Sequence, residues 1–126
     1  MAGNVGAAGW AGRVLTGLAA FAFLASGVMK LAGMAEKKDL DLIGIPVSMV
    51  FPLGILEIAC ALFYVFPRTA VLGAILLTGY MGGAILTHWR VGDPFFIQII
   101  LGVVVWAGIW LREPRLRALL PMRTGA

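Results

Sequence analysis

Four stretches of this chain are long enough, apolar enough and poor enough in charge to cross a lipid bilayer, and that feature decides most of what it can fold into. They run from about Val14 to Leu31, Val47 to Phe66, Ala70 to Thr87 and Phe95 to Leu111. A membrane-spanning helix needs ~20 predominantly apolar residues. Together the four use well over half of the 126 residues. The expected structure is therefore a single all-α integral membrane domain over 1–126, a four-helix antiparallel bundle followed by a short basic tail over 112–126. Strands are not expected, because the runs are too long and lack the period-two alternation of a membrane barrel. Composition agrees. The chain is 61% hydrophobic and 13% charged, against ~45–50% and ~25% in a typical soluble domain. A soluble core of this size could not hide so much apolar surface, which excludes an ordinary cytosolic enzyme, a disordered tail and a disulfide-rich secreted domain.

The breaks between spans carry turn chemistry. Pro67-Arg68 joins the second and third spans so tightly that they must form an antiparallel hairpin. The segment from His88 to Pro94 holds Gly92 and Pro94 as turn formers and Trp89 as an interfacial aromatic. The first loop holds Glu36, Lys37, Lys38, Asp39 and Asp41, and Met34–Leu42 is a candidate short extracytoplasmic helix. With four spans, Arg13, Arg68, Arg112, Arg115, Arg117 and Arg123 share one side, and Lys30, Lys37, Lys38 and Arg90 the other. The positive-inside rule then places both termini in the cytoplasm, and a bacterial inner membrane fits best. A cleaved signal peptide ending near Ala32-Gly33-Met34-Ala35 is the competing reading of the first span. Its apolar stretch is longer than a usual signal core and ends in Lys30. The net charge of +4 suits loops facing anionic lipid; no nucleic-acid partner is expected.

The informative positions are polar residues where hydrocarbon should exclude them. Glu57 lies near the middle of the second span, where a charge costs at least ~2.5–3.5 kcal/mol on insertion scales. It must face a protein interior or a wet cavity, or find a partner. Pro52, five residues earlier, should loosen the helix just before it. Ser26 and Lys30 share a helix face, four residues apart, and Lys30 could reach inward to Glu57. Tyr80, Ala84, Thr87 and His88 align along one face of the third span, and Gln98 sits about one turn into the fourth. A polar pocket in the outer half of the bundle, floored near Glu57, is the economical arrangement. Glu57 and His88 are its candidate proton-transfer residues and Lys30 the charge partner; Ser26, Tyr80, Thr87 and Gln98 are its candidate ligand contacts. Each has a structural alternative: a snorkelling Lys30, a solvated His88, Tyr80 and Gln98 as inter-helix hydrogen-bond glue, and a Glu57 clasp that only fixes register.

Gly79 and Gly83 form a GxxxG pair with Gly82 beside them, expected to support close packing within the bundle or between copies, as are Gly27 and Gly108. One cysteine, Cys60, and one histidine, His88, leave no disulfide, no dithiol pair and no protein-only zinc site. Walker, GxGxxG, GxSxG and HExxH motifs are absent.

The run Ser26-Gly27-Val28-Met29-Lys30-Leu31, then Leu53-Gly54-Ile55-Leu56-Glu57, the turn Pro67-Arg68-Thr69-Ala70, and Gly79-Tyr80-Met81-Gly82-Gly83-Ala84 leading to Thr87-His88 together resemble the DoxX-like family of small bacterial four-helix membrane proteins. The resemblance spans about Arg13 to Leu120. It implies a redox setting, because the wider group includes the small subunit of a thiosulfate:quinone oxidoreductase and proteins placed near redox partners, and a related branch assists disulfide formation. The functional expectation is a redox- or quinone-linked accessory subunit, with quinone as the possible cofactor and a membrane redox protein or a second copy as possible partners. The alternatives are a non-catalytic scaffold or assembly component, a small membrane enzyme doing proton transfer on a lipophilic substrate, and, more weakly, a transporter.

Overall fold

The structure is a computed structural model that describes residues 6–34 and 37–123. The outermost residues of the expected 1–126 domain, and Ala35 and Glu36 of the first loop, lie outside the described residues. Helix α1 is Ala7–Leu31, α2 Lys37–Ile43, α3 Val50–Val65, α4 Ala70–Trp89, α5 Phe96–Arg112 and α6 Pro114–Arg117. A turn of 3-10 helix, Val47–Met49, leads into α3, and another, Pro67–Thr69, joins α3 to α4. Among the described residues there is no strand. Three helical segments, Ala7–Leu31, Val47–Val65 and Pro67–Trp89, are long and apolar enough to cross a membrane, and α5 is a shorter apolar helix.

The long helices close into a four-membered ring: α1 packs on α3 and α5, and α4 packs on the same two. Contacts fix the directions. Thr16 meets Tyr64 while Lys30 meets Glu57, so α1 and α3 run antiparallel. Gly12 lies against Arg112 and Gly108 against Thr16, so α1 and α5 do too. Glycines permit these approaches. A methyl group on Gly12 would sit 2.7 Å from the carbonyl oxygen of Gly108, and one on Gly54 would sit 2.9 Å from that of Gly27. Gly73 lets α4 rest directly on the backbone at Tyr64. The expected packing role of Gly27 and Gly108 is met.

Gly79, Gly82 and Gly83 behave differently. A methyl group at any of them would meet nothing within 4 Å, so within the protomer the GxxxG pair brings no helix close. The loosening expected beside Glu57 is also absent. Pro52 is the third residue of α3, which continues unbroken to Val65. In the first turn a missing N–H has no intrahelical partner to lose. The preceding 3-10 turn absorbs the change of geometry instead.

The interior is sealed near the termini. Tyr64 is fully buried; its hydroxyl donates to the Val105 carbonyl at 2.7 Å and lies 3.4 Å from Thr16 Oγ1. Arg112 stacks over its ring and donates to its backbone carbonyl at 3.0 Å. Phe23, Leu77, Val105 and Ile109 complete this core. The outer surface inverts the soluble pattern. Leu18, Phe21, Ile55, Ile75, Ile100 and Val103 all project outward. So large an exposed apolar area suits hydrocarbon rather than water, and lipid contact follows for these helices.

Candidate functional site

The site begins with one carboxylate. Glu57 falls on the face of α3 that also carries Val50, Gly54, Cys60, Ala61 and Tyr64, all buried. Three donors from two other helices converge on its Oε1: Lys30 Nζ at 2.8 Å, Ser26 Oγ at 3.1 Å and the Tyr80 hydroxyl at 3.2 Å. Lys30 Nζ also donates to Ser26 Oγ at 2.7 Å, as the four-residue spacing on α1 allows. The Glu57 side chain is 3% exposed and that of Lys30 26%. The lysine thus holds the carboxylate from the cavity side, without being wholly withdrawn from its surroundings.

Beside this network lies a cavity of about 600 Å³, within the usual range for ligand sites. Ser26, Lys30, Glu57, Tyr80, Thr87, His88 and Gln98 all line it, and Phe23, Leu53, Met81 and Leu101 supply apolar walls. Gly79 and Gly83 line it as well, so the open space in front of these glycines is cavity.

The residues named from sequence play unequal parts. Ser26, Lys30, Glu57 and Tyr80 form one hydrogen-bonded network. His88 reaches the cavity, but its Nδ1 lies 2.6 Å from Asp93 Oδ2; its partner is Asp93, not Glu57. Thr87 spends its hydroxyl proton on the Gly83 carbonyl at 2.7 Å. Gln98 leaves its Oε1 buried with no hydrogen-bond partner. Cys60 is buried in the core. No cluster of metal-ligating side chains occurs among the described residues.

Two contributors were not visible in the sequence. Leu40 of α2 is buried and, with Ile43 and Ile45, lines the cavity mouth. Arg90 fastens that cover by donating from Nη2 to the Ile43 carbonyl at 2.7 Å. Gly44, at φ +77, makes room for it: a methyl group there would lie 2.7 Å from the same Nη2. The pattern Leu40, Ile43 could have hinted at an apolar face on α2. Nothing in the sequence links Arg90 to a carbonyl 47 positions away.

Chemically, the arrangement is a hydrocarbon-walled chamber with donors and one carboxylate concentrated at one wall. It suits a molecule with a compact polar head. Comparison with known proteins returned no match among curated proteins or among solved structures. The DoxX-like family, by contrast, is matched over residues 14–111. That match takes in all four long helices and every residue of the Glu57 network, and the chain belongs to the DoxX-like family.

Proposed function

We propose that this chain is a redox-linked accessory protein of the bacterial inner membrane, with both termini cytoplasmic, whose cavity takes the head group of a quinone. One observation carries the reading: a mid-helix carboxylate and three converging donors facing an otherwise apolar cavity of about 600 Å³. A quinone carbonyl accepts hydrogen bonds, and Lys30, Ser26 and Tyr80 carry donors at that wall. A quinol hydroxyl donates them, and Glu57 accepts. Gln98 serves either state by presenting its amide oxygen or nitrogen. Reduction of quinone to quinol takes two electrons and two protons. The electrons come from the membrane redox partner, and Glu57 relays protons, with Lys30 stabilising the anion left behind. His88, held by Asp93, stands as a proton-exchanging group at the same cavity.

A second reading draws on the closed Lys30–Glu57 contact: the network is a clasp joining α1, α3 and α4 in a non-catalytic assembly component. One experiment separates them. The protein in nanodiscs is titrated with a short-chain benzoquinone, alongside Gly83→Leu, which fills the cavity from a position where added atoms meet nothing within 4 Å. Saturable binding that Gly83→Leu abolishes without lowering the melting temperature supports the quinone reading. No saturable binding by the wild-type protein leaves the clasp.

A further inference from the structure

A second concavity of about 890 Å³ runs along the seam between α4 and α5. It begins at Gln98 and Met81, which line both it and the polar cavity, so the two spaces share a wall. From Gln98 it extends past Trp106 to Trp110 and is closed by Leu120 and Pro121. Twelve helical residues separate Gln98 from Trp110, a length of about 18 Å. Such a groove accommodates a chain rather than a compact substituent.

Its polar atoms are already spent. The Trp106 indole donates to Thr78 Oγ1 at 2.6 Å, Thr78 donates to the Ala74 carbonyl, and the Trp110 indole donates to the Leu120 carbonyl at 2.9 Å. What remains facing the groove is hydrocarbon, except at the junction, where Gln98 Oε1 is buried and unpartnered. Gly82 and Gly102 form part of its floor, and a methyl group on either would meet nothing within 4 Å. These glycines are not spent on holding α4 to α5. They keep the seam open.

We propose that the α4–α5 groove holds the isoprenoid tail of the quinone whose head occupies the polar cavity, so that the ligand is a long-tailed quinone received sideways from the bilayer. This rests on the head-group reading above and adds the tail, its path and the residues that select for it. Continuity singles out this occupant. A phospholipid chain or a second copy of the protein would have no reason to meet a polar atom at one end of an apolar groove. A tailed quinone passes from hydrocarbon to head group at that same place.

The test compares a tailless benzoquinone with its multi-isoprenoid counterpart in nanodiscs, for the wild-type protein and for Gly82→Leu and Gly102→Leu. Partition of the tail into lipid is common to all three proteins and cancels. The expected result is unchanged affinity for the tailless probe in both variants, with the tailed-to-tailless affinity ratio falling about tenfold or more, as expected when a side chain blocks a fitted apolar site. A photoreactive group placed on the tail should label α4 and α5 of the wild-type protein near Gly82 and Trp106, which gives a readout independent of how the variants fold. An unchanged ratio, or labelling spread evenly over all four helices, overturns the tail site while leaving the head-group reading intact. Failure of the wild-type protein to bind either probe overturns both.

Discussion

At the scale of single residues, Glu57 was legible because its position is costly. A carboxylate in mid-span must be answered by something, and the sequence held few side chains able to answer. Lys30 and Ser26 were readable as partners from their spacing on one face of α1, and Tyr80 from the facing helix. His88 was legible as a cavity residue but not as a partner of Asp93, because that pair is made by the turn after α4, whose path no periodicity specifies. The same holds for Arg90 and its carbonyl. The Lys30–Glu57 pair can be tested directly. Lys30→Met leaves a buried anion without its cation and should destabilise the protein by about 3–5 kcal/mol. Lys30→Met combined with Glu57→Leu should recover most of that loss, because an apolar replacement of both partners removes the desolvation penalty as well. Thermal unfolding of both variants in one detergent checks this; a double variant no more stable than the single one contradicts it. Restored stability without restored quinone binding is the signature of a site rather than a clasp.

At the scale of helices, the four long elements were readable from length and apolarity, and their ends from Pro67, Gly92 and Pro94. Pro52 was misread because its effect depends on where the helix begins. In the first turn of α3 it interrupts nothing. Glycine function was the least legible feature. The pattern that looks like a packing motif, Gly79 with Gly83, faces cavity, whereas the close approaches fall to Gly12, Gly54 and Gly73, which form no motif. Rotation of a helix about its axis decides whether a glycine faces a neighbour or a void, and spacing within one helix cannot report it. The two classes should separate cleanly. Gly12→Ala and Gly73→Ala push a methyl group into backbone and should each cost about 1–3 kcal/mol. Gly79→Ala and Gly82→Ala meet no atom and should be neutral or slightly stabilising, since alanine is favoured over glycine in a helix by about 1 kcal/mol. Melting temperatures of the four variants decide it. Equal destabilisation in all four would mean that the α4 glycines pack against something after all.

At the scale of the whole molecule, the antiparallel ring gathers Arg13, Arg68, Arg112, Arg115 and Arg117 at one end, and Lys30 and Arg90 at the other. The proposed orientation puts the arginine-rich end in the cytoplasm. The buried state of Cys60, 3% exposed, supplies a quiet background for testing this in cells. A membrane-impermeant maleimide should label Asp39→Cys in intact cells and Leu119→Cys only after the membrane is opened. The reverse pattern would invert the molecule and turn the cavity mouth toward the cytoplasm.

The tyrosine staple at Tyr64 has one more consequence. Its bond to Val105, the Arg112 lid over its ring and the glycine contacts at Gly12 and Gly73 all lie at the terminal end of the ring. The opposite end has a chamber between its helices and a cover secured by Arg90. The bundle is built like a clothes-peg, sprung shut at one end so that the jaws at the other can part. Breathing motions belong at the α4 jaw, and a visitor can be admitted and released there without loosening the joint that holds the four helices together.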